Sequence, residues 1–247
     1  GVVGVTPGTV SLYIVKVYGD GCGWTYSSTL VDAALRCRDA GADIINMSLA
    51  GYYPSSFENN AFQSLYDQGV LSIAAAGNNG GTSYSYPASY DSVISVAAVD
   101  ENNVVASFSR QNDQVELAAP GVGVYSTYNN GDYVYMNGTS MATPHVTAAA
   151  ALLWSADLTQ THVEVRSTLQ QMALDLGAPG RDDAYGFGLV RTADGSESAP
   201  TEVELARFEA FAAEASVRVE WETTSEVYNM GFHLYRAKSL DGPRTRL

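Results

Sequence analysis

The stretch Phe57-Glu58-Asn59-Asn60-Ala61-Phe62-Gln63-Ser64-Leu65, followed by Gly69-Val70-Leu71-Ser72-Ile73-Ala74, decides the fold. Phe57, Ala61, Phe62 and Leu65 recur at helical spacing and make one apolar face. Gly69 then supplies a left-handed stop, and the apolar run after it reads as a buried strand. The residues before this stretch repeat the pattern. Thr29 with Asp32 reads as a capping-box start, Leu30, Ala34 and Cys37 as a helical face, Gly41 as the stop, and Asp43 to Met47 as the next strand. Leu12 to Val17 reads as a further buried strand upstream. Downstream come an apolar strand from Val93 to Ala98, extended pieces near Val115 and Val124, a helix from Ala142 to Trp154 and another from about Gln160 to Leu174. Strands alternating with helices specify an α/β domain, a parallel sheet with helices on both faces.

After Gly188-Leu189-Val190 the composition turns polar and ends on proline, from Ala193 to Pro200, which places a linker over 195–202 and a domain over 1–194. Beyond it, Val203 to Phe211, Val217 to Glu222 and Phe232 to Arg236 read as three strands of a partial β-sandwich over 203–247. The 27 acidic residues outnumber the 13 basic ones, giving a net charge of -14 that would repel a polyphosphate, so nucleic acid is excluded as a partner. The longest apolar run, Val146 to Trp154, is far shorter than the ~20 residues of a membrane span. Acidity with lysine only at Lys16 and Lys238 suits an extracellular setting. There, Cys22 and Cys37, fifteen positions apart, could close one local disulfide.

Two short motifs carry chemistry. Gly138-Thr139-Ser140-Met141-Ala142-Thr143-Pro144-His145 presents a serine at the start of an alanine-rich helix, where the helix N-terminus and the serine's own N–H favour a developing oxyanion. Ala75-Ala76-Gly77-Asn78 ends a buried strand in a turn at a sheet's carboxyl end, the place where open parallel sheets bind ligands, and the Asn78 amide could donate to the same oxyanion. Asn79 competes for that role on position alone. Each motif by itself is a common structural turn. A serine hydroxyl also needs a base within hydrogen-bond reach, oriented by a third group.

Together these residues resemble the subtilisin-like serine proteases (subtilases, peptidase S8). The resemblance extends through Gly4-Val5-Thr6-Pro7, Leu12 to Val17, Asn46-Met47-Ser48-Leu49, Tyr86-Pro87-Ala88 and Ala118-Ala119-Pro120-Gly121 to about residue 193. It implies a three-layer α/β fold, here incomplete, and a secreted endopeptidase that forms an acyl-enzyme on Ser140, with Asn78 as an oxyanion donor. It further implies that Ser48-Leu49-Ala50 is the edge pairing with an extended substrate, that Ala75, Ala76 and Gly77 form one wall of the S1 pocket with Ser85 near its far end, and that Tyr86-Pro87 is cis. Glycine is common in the family where Ala50 stands. The substrate would be a protein or peptide and the enzyme a monomer. No cofactor is needed for the chemistry, while the carbonyls around Ala88, Tyr90 and Val93 could hold a structural calcium.

The family's catalytic aspartate and histidine belong to an Asp-x-Gly turn and a His-Gly-Thr-His block that follows it, and no such pair occurs in residues 1–247. The expectation is a fragment that is inactive alone. His145, on the serine's own helix, matches a non-catalytic histidine of the family, and His162 and His233 read as structural. The alternative is a pseudoprotease that keeps the fold as a peptide-binding or adhesion module. A different α/β hydrolase would want a Gly-x-Ser-x-Gly elbow, which Thr139-Ser140-Met141-Ala142 is not. The segment 203–247, with Trp221-Glu222-Thr223 and Gly231-Phe232-His233-Leu234-Tyr235-Arg236, resembles the opening half of a fibronectin type III-like module.

Overall fold

The computed structural model describes residues 4–6, 10–19, 26–192, 204–213, 216–225, 235–236 and 245–246. Two compact units separate at residues 194 and 195.

In the first unit, β1 (Ile44–Met47), β2 (Leu71–Ala75), β3 (Val93–Val99) and β4 (Val115–Pro120) form a parallel sheet in that order. Adjacent residues of a strand point to opposite faces, so a sheet covered on both sides needs apolar residues at every position. β2 and β3 are buried along their whole length. One face sends Leu71, Ile73, Ile94, Val96 and Leu117 against Val146, Ala149 and Ala150 of α3 (Thr139–Ala156) and Val165 and Leu169 of α4 (His162–Met172). The other sends Ile45, Met47, Ala74 and Val93 against Leu30 and Ala34 of α1 (Ser27–Asp39) and Phe62 and Leu65 of α2 (Ser56–Asp67). The sheet therefore lies between two helical layers. β5 (Val124–Thr127) and β6 (Tyr133–Met136) form an antiparallel hairpin ahead of α3, a pairing that the sequence reading gave only as an extended piece near Val124.

Local chemistry explains the helix ends. Ser55 caps α2 by accepting from Glu58 N, and a reciprocal Thr161–Glu164 box opens α4. Gly41 and Gly69 follow α1 and α2 with φ of 86° and 94°, conformations costly for any other residue. α1 departs from expectation, because it starts at Ser27 after Tyr26 and has no side-chain cap at Thr29. In α2, Phe57 is 59% exposed and Glu58 is buried in its place.

The largest correction concerns Leu12 to Val17. This segment is irregular and pairs with no strand, and Leu12 and Ile14 are 80% and 85% exposed. A β-pattern becomes a strand only when a neighbour takes up its N–H and C=O groups, and among the described residues the outer edge of β1 meets no such ladder. Between residues 10–18, α1, β1 and α3 lies a cavity of about 1140 Å³, bordered by Leu30, Ala34, Ile44 and Leu152. Cys37 is a free thiol whose pKa burial pushes up, so the expected bridge is not formed at this cysteine, and Cys22 lies outside the described residues.

In the second unit β7 (Glu204–Ala213) pairs antiparallel with β8 (Ser216–Ser225), and the short β9 (Tyr235–Arg236) with β10 (Thr245–Arg246). These are two separate two-stranded ladders, and the described residues do not build the expected sandwich core. The linker over 195–202 and Phe232 to Leu234 lie outside the described residues.

Candidate active site

β1 and β2 run side by side with Met47 opposite Ala74, so Ser48-Leu49-Ala50 and Ala75-Ala76-Gly77-Asn78 leave the same sheet edge together. Gly51 and Tyr86 exchange two backbone hydrogen bonds of 2.7 and 3.0 Å, which brings Ser85 to the far end of that gap. The Tyr86–Pro87 peptide is cis.

α3 brings Ser140 to the same edge. The helix starts at Thr139, one turn earlier than the Ala142 start expected, so Ser140 sits in its first turn. Asn78 Oδ1 accepts from Thr139 N and Thr139 Oγ1, both at 2.8 Å, and Gly77 N donates to Thr139 Oγ1 at 3.1 Å. Those bonds use the amide oxygen of Asn78 and leave Nδ2 without a partner among the described residues. Ser140 N–H, at a helix N-terminus, is likewise unpaired. Both donors flank one small space. A Cβ built on Gly138, whose φ is 152°, would lie 3.2 Å from Asn78 Nδ2 and 3.6 Å from Ser140 N. The two residues singled out by sequence converge through Thr139, a residue that the sequence reading assigned no role.

A second network fixes the serine turn to β1. Pro144 has no N–H, so the Ser140 carbonyl four residues earlier loses its helical donor. Ser48 Oγ donates to that carbonyl at 2.9 Å. Asn46 Nδ2 in turn donates to Ser48 Oγ (3.1 Å), and Thr147 Oγ1 donates to Asn46 Oδ1 (3.0 Å). Asn46 and Thr147 were not singled out as supports. Pro144 was their signal, since a proline inside a helix always frees a carbonyl that something must satisfy.

Ser140 Oγ donates to Ser48 O at 3.3 Å. His145 Nδ1 bonds the Met141 carbonyl at 2.8 Å, one turn back on its own helix, and His162 packs edge-on against Tyr66. Neither histidine reaches Ser140. His233 lies outside the described residues. Asn79, the rival donor, turns away to accept from Tyr52 OH at 3.3 Å. Among the described residues no three His, Cys, Asp or Glu side chains group for a metal, and Tyr90 O already accepts from Val93 N at 2.9 Å. A cation there would rest on backbone oxygens alone.

Comparison with known proteins gives the same pattern. The profile of the subtilase family (peptidase S8) matches residues 1–188. Subtilisin DY of Bacillus licheniformis is 44% identical over 194 residues, covering 77% of this chain and 69% of the relative. The minor extracellular protease Epr of Bacillus subtilis is 36% identical over 247 residues, 98% of this chain and 38% of the relative. The chain thus spans well under half the length of Epr. Among solved structures, a psychrophilic subtilisin-like protease, Apa1, from an Antarctic Pseudoalteromonas superposes with a TM-score of 0.68 at 27% identity, over 72% of this chain and 74% of that one.

Proposed function

The chain belongs to the subtilase family, and from that premise we propose that the protein is a secreted serine endopeptidase in which Ser140 attacks the peptide carbonyl. The observation that carries the reading is the space over Gly138, flanked by the unpaired Asn78 Nδ2 and Ser140 N–H. Preorganised donors around the position where a carbonyl oxygen becomes charged lower the barrier because they need no reorganisation when the charge appears. In the acylation step Ser140 Oγ bonds to the carbonyl carbon, its proton passes to a base, and the amine leaves with a proton returned by that base. Water then repeats the sequence on the ester. Ser48-Leu49-Ala50 would pair main chain to main chain with the substrate, and Ala75, Ala76 and Gly77 would line the pocket beside it.

Turnover by residues 1–247 alone should be slight, since Ser140 Oγ has a carbonyl as its neighbour where a base is required. The substrate class is protein or peptide, and the enzyme acts as a monomer. The net charge of -14 disfavours nucleic acid, and no described helix is long and apolar enough to cross a membrane. No cofactor takes part in this chemistry. A calcium on the Ala88, Tyr90 and Val93 carbonyls would affect stability only.

The test is the oxyanion space. Asn78→Ala in the full-length protein should lower kcat by roughly 10²–10³, the size of the effect for this type of donor in subtilisin, itself a member of the family. Gly138→Ala should lower kcat at least as far with KM little changed, because the added methyl fills the space the oxyanion needs. Unchanged kcat in both variants would remove this oxyanion site, and no turnover by the full-length protein would leave a peptide-binding module in place of the peptidase.

A further inference from the structure

Of two arginines in the first unit, Arg110 is buried and Arg166 half-buried, and they are treated differently. Arg166 places its guanidinium on both Glu116 carboxylate oxygens, at 2.7 and 2.5 Å, with a third bond to Asp91 O. Arg110 is only 5% exposed, yet no carboxylate among the described residues pairs with it. Its Nη1 donates to two backbone carbonyls, Ser83 O at 3.1 Å and Tyr84 O at 2.5 Å, and its guanidinium carbon lies 5.5 Å from the centre of the Tyr52 ring. Its Nε is buried with no hydrogen-bond partner. A desolvated cation with a free donor and no counter-ion is costly, and in a chain of net charge -14 a carboxylate neighbour would have been easy to supply.

The position of this group suggests what completes it. Arg110 N donates to Gly77 O at 3.1 Å, which holds the residue directly against the Ala75–Gly77 wall. A Cβ on Gly77 would lie 2.5 Å from Ser85 Oγ, 3.1 Å from Arg110 Cδ and 3.3 Å from Arg110 Nε. A side chain at this point would drive into the Ser85 hydroxyl and the Arg110 stem, so glycine is what lets these groups pack together behind the Ala75–Gly77 wall. Tyr52, bonded to Asn79, lies over the same guanidinium.

We infer that Arg110 makes the pocket for the residue on the acyl side of the scissile bond selective for aspartate or glutamate. The substrate carboxylate pairs with the Arg110 guanidinium and supplies the counter-ion that the folded chain lacks. Charge-assisted bonds of this kind are roughly twice as strong as neutral ones, and a missing partner for a buried group is what generates large discrimination between substrates. This inference rests on the proposed peptidase reading of the same site.

The experiment has two arms. In the first, the full-length protein is profiled on a peptide library, with Arg110→Met and Arg110→Lys alongside. The expected result is cleavage after glutamate or aspartate at least tenfold above cleavage after phenylalanine in kcat/KM. Arg110→Met should lower the ratio of kcat/KM after glutamate to kcat/KM after phenylalanine at least tenfold, and Arg110→Lys should keep part of the preference. In the second, acetyl-Ala-Ala-Pro-Glu and acetyl-Ala-Ala-Pro-Phe are titrated calorimetrically into the chain of residues 1–247. The glutamyl peptide should bind about tenfold tighter, and Arg110→Met should abolish the difference. If Arg110→Met does not fold, the wild-type profile and the lysine variant decide. Cleavage after apolar residues, indifferent to Arg110→Lys, overturns the inference and leaves the peptidase reading intact. No cleavage by the full-length protein, with Arg110-dependent binding of the glutamyl peptide, overturns the peptidase reading and leaves the acidic subsite. Neither cleavage nor preferential binding overturns both.

Discussion

Ser140→Ala is expected to abolish labelling of the full-length protein by a fluorophosphonate and to reduce peptide hydrolysis by roughly 10⁶-fold, the loss that removing the nucleophile causes in subtilisin, a member of the family. The change should not disturb the fold. Ser140 Oγ makes one exposed bond of 3.3 Å to Ser48 O, whereas the turn is held by Asn78 on Thr139 and by Ser48 on the Ser140 carbonyl, and both survive the substitution. Melting temperature should therefore stay within about 2 °C of the parent, since surface substitutions seldom exceed ~0.5 kcal/mol. A loss of labelling accompanied by a large fall in melting temperature would mean a structural serine. Equal labelling of both proteins would end its assignment as nucleophile.

Glu116→Gln is expected to cause the largest stability loss of any single conservative change considered for this chain. Glu116 on β4 and Arg166 on α4 are 8% and 15% exposed, with Gln170 Nε2 bonded to the same carboxylate at 2.9 Å and the Tyr66 ring 5.5 Å from the guanidinium. Removing the charge leaves a largely desolvated cation without its counter-ion, a loss of up to about 3–5 kcal/mol. For a unit of this size that corresponds to a fall of roughly 6–20 °C in melting temperature, measurable by calorimetry. Glu116→Leu combined with Arg166→Met should recover much of the loss, because exchanging both partners for apolar groups removes the desolvation penalty along with the attraction. A double variant no more stable than the single one would show that Arg166 acts mainly through Asp91 and Tyr66.

The sheet and its helical layers were legible because β2 and β3 are apolar at every position and their flanking helices carry regular faces and glycine stops. Elements that depend on a partner distant in sequence were not. Leu12 to Val17 has a strand's composition, but its ladder depends on a neighbour that composition cannot reveal. Phe57 has a core residue's chemistry and faces solvent, while Glu58, which should be outside, is buried, its carboxyl pKa raised mainly by desolvation and lowered in part by hydrogen bonds from Ser27 and Tyr90. At the site, the meeting of Asn78 with the Ser140 turn could be anticipated because each lies in a motif that recurs across a family. Thr139, Asn46 and Thr147 were not, since a hydroxyl or amide acquires such a role only when folding brings it to a particular carbonyl. The want of a carboxylate beside Arg110 is likewise a property of three-dimensional neighbours.

The Thr143-Pro144 step in α3 has a mechanical consequence. The carbonyl it frees is held by the hydroxyl of Ser48, one residue past β1, so a shift of that strand's end would be passed through a single bond of 2.9 Å to the first turn of α3.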